Sequence, residues 1–134
     1  MGLSNSSESG VLNALLTGQT FGPFLRIWMS LHSASPADSG LNEIPAGYGY
    51  SRVEITGKFS PTAGDKITNN SAITFAAAST QYSITHWGIW GISSEGDGSL
   101  FYLSGTVGAE GGDVLIQAGK SPQIAIGAMT ITAD

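Results

Sequence analysis

Apolar positions along the 134-residue chain change their period after the first twenty residues. Val11, Leu12, Leu15 and Leu16 recur at i, i+1, i+4 and i+5, which places them on one stripe of a helix. Ser and Asn cluster ahead of them, Glu8 falls in the first turn, and Gly18 follows as a candidate C-cap. The pattern predicts one N-terminal helix over residues 4–18. A helix this short is marginal in isolation, so its stripe has to dock, either on its own sheet or on a partner subunit.

From Phe24 the period becomes two. Leu25, Ile27, Met29 and Leu31 alternate with Arg26, Trp28, Ser30 and His32, as in a strand with one apolar face. Residues 33–49 carry Pro36, Gly40, Pro45, Gly47 and Gly49 and predict a long loop, a length usually tied to function. Further strands are expected over residues 50–59, 71–77, 81–92 and 100–107, with two or three short ones between 113 and 132. Pro61, Gly64 and Asp65 read as a turn, and residues 93–98 (SSEGDG) as a hairpin tip. Both parities are apolar near Trp87, Ile89 and Trp90, which fits a central strand covered on both faces. The expected fold is all-β: an antiparallel β-sandwich or jelly-roll-like barrel with one short helix, forming a single domain over residues 1–134.

Composition narrows the function more than the fold. There is no cysteine, which excludes disulfides, thiolate metal sites and a thiol nucleophile. Lys+Arg number 5 against 10 Asp+Glu, a net charge of -5, which argues against nucleic acid as a partner. No apolar run is long enough to span a membrane, and no basic segment precedes an apolar one as in a signal peptide. Charged residues make up only 11%, where about 25% is usual. Low charge suits either a Gly-punctuated β protein or one whose surface is covered by neighbours.

Candidate chemistry is sparse. His32 and His86 each sit alone on a predicted strand, without the converging ligands a metal needs, and read as packed, hydrogen-bonded residues. No GxSxG, GxxxxGK[ST] or GxGxxG occurs. Asp65, Glu95, Asp97, Glu110 and Asp113 fall in turn-like segments and read as solvated caps rather than a glycosidase pair. The sequons at Asn5 and Asn69 are read as chance. Trp28, Trp87 and Trp90 suggest a sugar-stacking platform less readily than a core. The expectation is therefore no enzyme, no cofactor, no catalytic residue and no metal site. The segments with apolar residues to spare are the helix (Leu12, Leu15, Leu16) and the loop over residues 33–49 (Leu41, Ile44, Tyr48, Tyr50), whose side chains either fold back as a local plug or meet a partner; these become the candidate partner interface.

The segments, in order, are LSN leading into an apolar helix, FLRIWMSLHSASPADSG, GYGYSRV, NNSAITFAAAS, ITHWGIW, LFYLSGTV and AGKSPQIAIGAMTITAD. Together they resemble a group of small bacteriophage virion proteins labelled tail-fibre protein or capsid decoration (cement) protein. The resemblance covers nearly the whole chain. It implies a non-enzymatic structural role, an all-β fold and many copies per virion. A single domain without a fibrous repeat tilts the expectation toward a cement protein on the outer surface of the capsid. Its partners would then be the major capsid protein and itself, as a dimer or trimer. The alternative is a tail-fibre or tail-tip component that contacts the host surface.

Overall fold

The computed structural model describes residues 2–17, 26–64, 66–92, 100–107 and 113–132. In chain order the elements are β1 (Gly2–Leu3), α1 (Asn5–Thr17), β2 (Arg26–His32), a 3-10 turn (Ala46–Tyr48), β3 (Val53–Glu54), β4 (Phe59–Ala63), β5 (Lys66–Asn69) and β6 (Ile73–Thr74). They continue with β7 (Tyr82–Ile84), β8 (His86–Ile92), β9 (Leu100–Thr106), β10 (Val114–Ile116), β11 (Gln123–Ile124) and β12 (Thr130–Thr132). Every pairing is antiparallel. The all-β, sandwich-like expectation holds, and the strands among the described residues do not close into a barrel.

One layer is a five-stranded sheet in the order β1-β9-β8-β2-β3. Register sets its two faces. Met29 lies opposite Ile89, which lies opposite Leu103, so their side chains share the inner face with Ile27, Leu31 and Trp87. Against that face pack a three-stranded sheet, β12-β5-β4, and two ribbons, β10-β7 and β11-β6. Met29, Ile73, Phe75, Ile84, Ile116 and Met129 meet in the core between the layers.

Several predicted strands divide where a backbone group has a better partner off the ladder. Residues 50–59 were expected as one strand but form β3 and then β4. Gly57 at φ 75°, with the Lys58 N–H donating to the Ile55 carbonyl, closes a tight turn between them. Pro61 lies inside β4 rather than in the following turn; β4 is an edge strand, where a missing N–H is tolerated. Residues 81–92 break at Thr85, where the chain passes from the β10-β7 ribbon to the large sheet. β5 was not anticipated, because its four residues KITN lack an apolar alternation.

Asn69, the fully buried residue of the second sequon, ties β5 to the chain leading into β12. Its amide donates to the Ser71 and Ala125 carbonyls at 3.0 and 2.9 Å, and its Oδ1 accepts the Met129 N–H at 2.9 Å. A side chain so enclosed is closed to glycosylation in the fold, consistent with the chance reading.

Candidate interaction surfaces

Helix α1 is fastened at its first turn. Ser4 caps it, accepting the Ser7 N–H on its hydroxyl at 3.3 Å. The buried Ser4 and Ser7 hydroxyls donate to the carbonyls of Phe101 and Tyr102 at 2.6 and 2.5 Å. The Ser4 N–H also donates to Tyr102, at 2.9 Å. Those carbonyls lie at a bulge in β9, where the register against β8 slips between Ile89 and Trp90. The half-buried residues further along the helix are the small Gly10 and Ala14. Helical spacing sets these on the same side as Ser7, so the small-residue side meets the sheet. The leucines point the other way: Leu12, Leu15 and Leu16 are 56, 75 and 79% exposed. Gly18, the expected C-cap, lies outside the described residues.

The outer face of the large sheet carries a buried polar and aromatic layer that the sequence did not announce. His32 is fully buried. Its Nδ1 is 2.7 Å from the Leu41 carbonyl and its Nε2 is 2.7 Å from the Ser30 hydroxyl, which in turn is 2.8 Å from Trp90 Nε1. A carbonyl only accepts, so Nδ1 carries the proton and Nε2 is left to accept from Ser30, whose oxygen accepts from Trp90. The chain of donors is complete with a neutral imidazole. Burial lowers the His32 pKa below its ordinary value, and this outweighs the hydrogen bond to Leu41 and the nearby Glu43, which act in the opposite sense.

The segment over residues 33–43 lies across this layer as a strap. A β-bridge between His32 and Glu43 closes it. Gly40, at φ 77°, sits so close to Trp90 that a Cβ there would fall 2.4 Å from the indole. Trp90 and Phe101 meet edge to face, their centroids 5.1 Å apart. The Arg52 guanidinium stacks 3.7 Å from the Trp90 centroid and grips Glu43 with two hydrogen bonds of 2.9 and 2.8 Å. Tyr50 donates to the same carboxylate at 2.6 Å. Burial pushes the Glu43 pKa up, but the bonds from Arg52 and Tyr50 and the Arg52 charge bring it to a net value below the ordinary one. Burial, and then the bond to Glu43, raises the Tyr50 pKa above its ordinary value. Glu43, Tyr50 and Arg52 line an open recess of about 340 Å³, yet the carboxylate is already spent on internal bonds. Neither Glu43 nor His32 is poised to pass a proton to a bound molecule.

The predicted interface residues divide. Leu12, Leu15, Leu16, Leu41 and Tyr48 are exposed, the last stacked on Tyr82. Ile44 and Tyr50, 3 and 5% exposed, belong to the core and are corrected as docking residues. Ile44 is held by its N–H to the Leu31 carbonyl, and Tyr50 by hydrogen bonds to Glu43 and the Leu31 N–H. Helix and strap meet at one residue, since the Phe101 carbonyl holds Ser4 and its ring lies under Gly40. Trp87 and Trp90 face opposite sides of β8 and are both buried, which leaves no sugar-stacking pair on that strand. Of the acidic candidates, Asp65, Glu95, Asp97 and Glu110 lie outside the described residues, and Asp113 is exposed. Among the described residues no three His, Asp or Glu side chains cluster as metal ligands, and no helix is long and apolar enough to cross a membrane.

The described residues thus form a small charge-poor sandwich with a leucine stripe turned outward. The chain belongs to the family described as podophage GP4 fiber I protein gp80, whose model matches residues 2–132. It is accordingly a phage virion structural protein of fibre-like kind. No curated protein matches the chain.

Proposed function

We propose that the protein is a non-catalytic building block of a podophage tail fibre, joined to its neighbours through the exposed face of α1. The family match over residues 2–132 carries this reading. It favours the tail over the outer capsid surface that the sequence suggested. The outward leucines of α1 and the internally bonded Glu43 and His32 support a role in assembly over turnover. Tyr48 and Leu41, exposed on one loop, offer a second contact surface for a host component or another virion protein.

Gold-labelled antibody or a tagged copy, imaged on intact particles, tests the placement. A dozen or fewer labels at the tail is the expected result. Hundreds of labels over the head would overturn it and restore a cement protein seated on the major capsid protein.

A further inference from the structure

The two layers of the sandwich leave an open apolar groove of about 220 Å³, lined by Ile55, Phe59, Ile67, Leu103 and Ile131 among others. Ile67, which lines it, is 43% exposed, so the described elements do not fill it. The same chain carries an apolar row that its own sheet does not cover, Leu12, Leu15 and Leu16. We infer that these two surfaces are partners in trans: α1 of one copy lies in the groove of the next, closing an oligomer.

Three observations point to a second copy as the occupant. The first is area. Covering the leucines and Val11 removes on the order of 400 Å² of apolar surface. Two copies that exchange helices reciprocally bury about 800 Å² per partner across one interface, the usual share in a stable complex. The second is charge. Glu8 is the one charged residue of α1, and the last turn holds no cation to offset the negative helix end. Lys58 and Lys66, two of the chain's 5 cationic residues, neighbour the lining residues Gly57 and Ile67 in the chain, as Glu54 neighbours Ile55. A net charge of -5 per copy opposes association in general, but Glu8, which helical spacing places in the row of Leu12 and Leu15, is opposite in sign to Lys58 and Lys66. The third is tethering. Ser4 and Ser7 bind the base of α1 to Phe101 and Tyr102, while its leucines stay in solvent rather than in the groove of the same chain. Reciprocal exchange closes about a two-fold axis, which fills both grooves and covers both rows of leucines.

This deepens the fibre reading by naming what α1 binds, but its test uses the purified chain, so the location of the protein on the particle does not bear on it. The chain has no cysteine, which makes engineered thiols unambiguous reporters. Leu16→Cys and Ile67→Cys proteins are prepared separately, mixed, and oxidised. The expected result is a disulfide-linked heterodimer in the mixture and little linkage in either variant alone. Light scattering should show the wild type as a defined multiple of 13.8 kDa, and Leu15→Glu with Leu16→Glu should reduce it to a monomer with unchanged circular dichroism. A monomeric wild type would overturn the inference. So would linkage of Leu16→Cys to itself without linkage to Ile67→Cys, which would mean helix against helix.

Discussion

His32 Nδ1 donates to the carbonyl of Leu41 across 2.7 Å, so a residue at the end of a sheet strand holds down the loop whose leucine points into solvent. This bond needs only the neutral imidazole, and the Ser30 hydroxyl on the other ring nitrogen completes the arrangement. The strap and the sheet are therefore joined through a titratable group.

Stability should fall on acidification in two windows. In the unfolded chain His32 titrates near its ordinary 6.5, and in the fold its pKa is lower. The unfolded state thus takes up protons first, so the contribution of His32 is full above about 6.5 and is lost as pH falls toward the lowered value. Glu43, also lowered, contributes above its ordinary 4.5 and loses its effect as pH drops through the folded value. Urea midpoints measured from pH 8 to 4 should decline below 6.5, and the His32→Gln protein should show a flatter curve in the upper window.

A methyl group at position 88 has no room. A Cβ on Gly88 would fall 2.7 Å from both the Phe101 ring and the Ser30 hydroxyl, and 2.9 Å from His32 Nε2. All three neighbours are packed on the sheet, so Gly88→Ala should destabilise by about 1–3 kcal/mol, as overpacking does. Equilibrium denaturation reads this directly, and an unchanged midpoint would show that the layer yields.

Arg52→Lys should cost more than a surface charge conserves. Lysine keeps the charge but loses the two-pronged grip on Glu43 and the planar stack on Trp90. A double-mutant cycle with Glu43→Gln is expected to give a coupling of about 1 kcal/mol, above the typical exposed pair. Trp fluorescence should shift with Arg52→Lys, since the cation leaves the indole face.

Asn69→Ala should be the most damaging polar substitution among those considered. It leaves the buried Met129 N–H without its acceptor, while the Ala125 carbonyl keeps the Ala128 N–H. A loss of about 1–3 kcal/mol is expected. Hydrogen exchange should then speed up at Met129 and in β12 before the rest of the core.

Much of the architecture was legible in the chain. The alternation through Met29 and Leu31, and the doubly apolar run around Trp87, Ile89 and Trp90, follow from local side-chain order and predict long central strands. The leucine spacing predicts α1. These depend on neighbours in sequence, whose geometry repeats every two or 3.6 residues.

The tertiary structure decided what those faces meet. Period alone predicts a leucine stripe that docks, yet the serines bind the bulged carbonyls of β9, so the small side of α1 faces the sheet and the leucines face out. Ile44 and Tyr50 read as loop residues that either plug the fold or meet a partner, and their bonds to the Leu31 backbone carry them into the core. Glu43 reaches His32, Tyr50 and Arg52 only because the strap folds back, and no spacing along the chain encodes that meeting. Periodicity specifies which side of an element is apolar; which surface covers it is set by long-range pairing, whose free energy belongs to residues tens of positions apart.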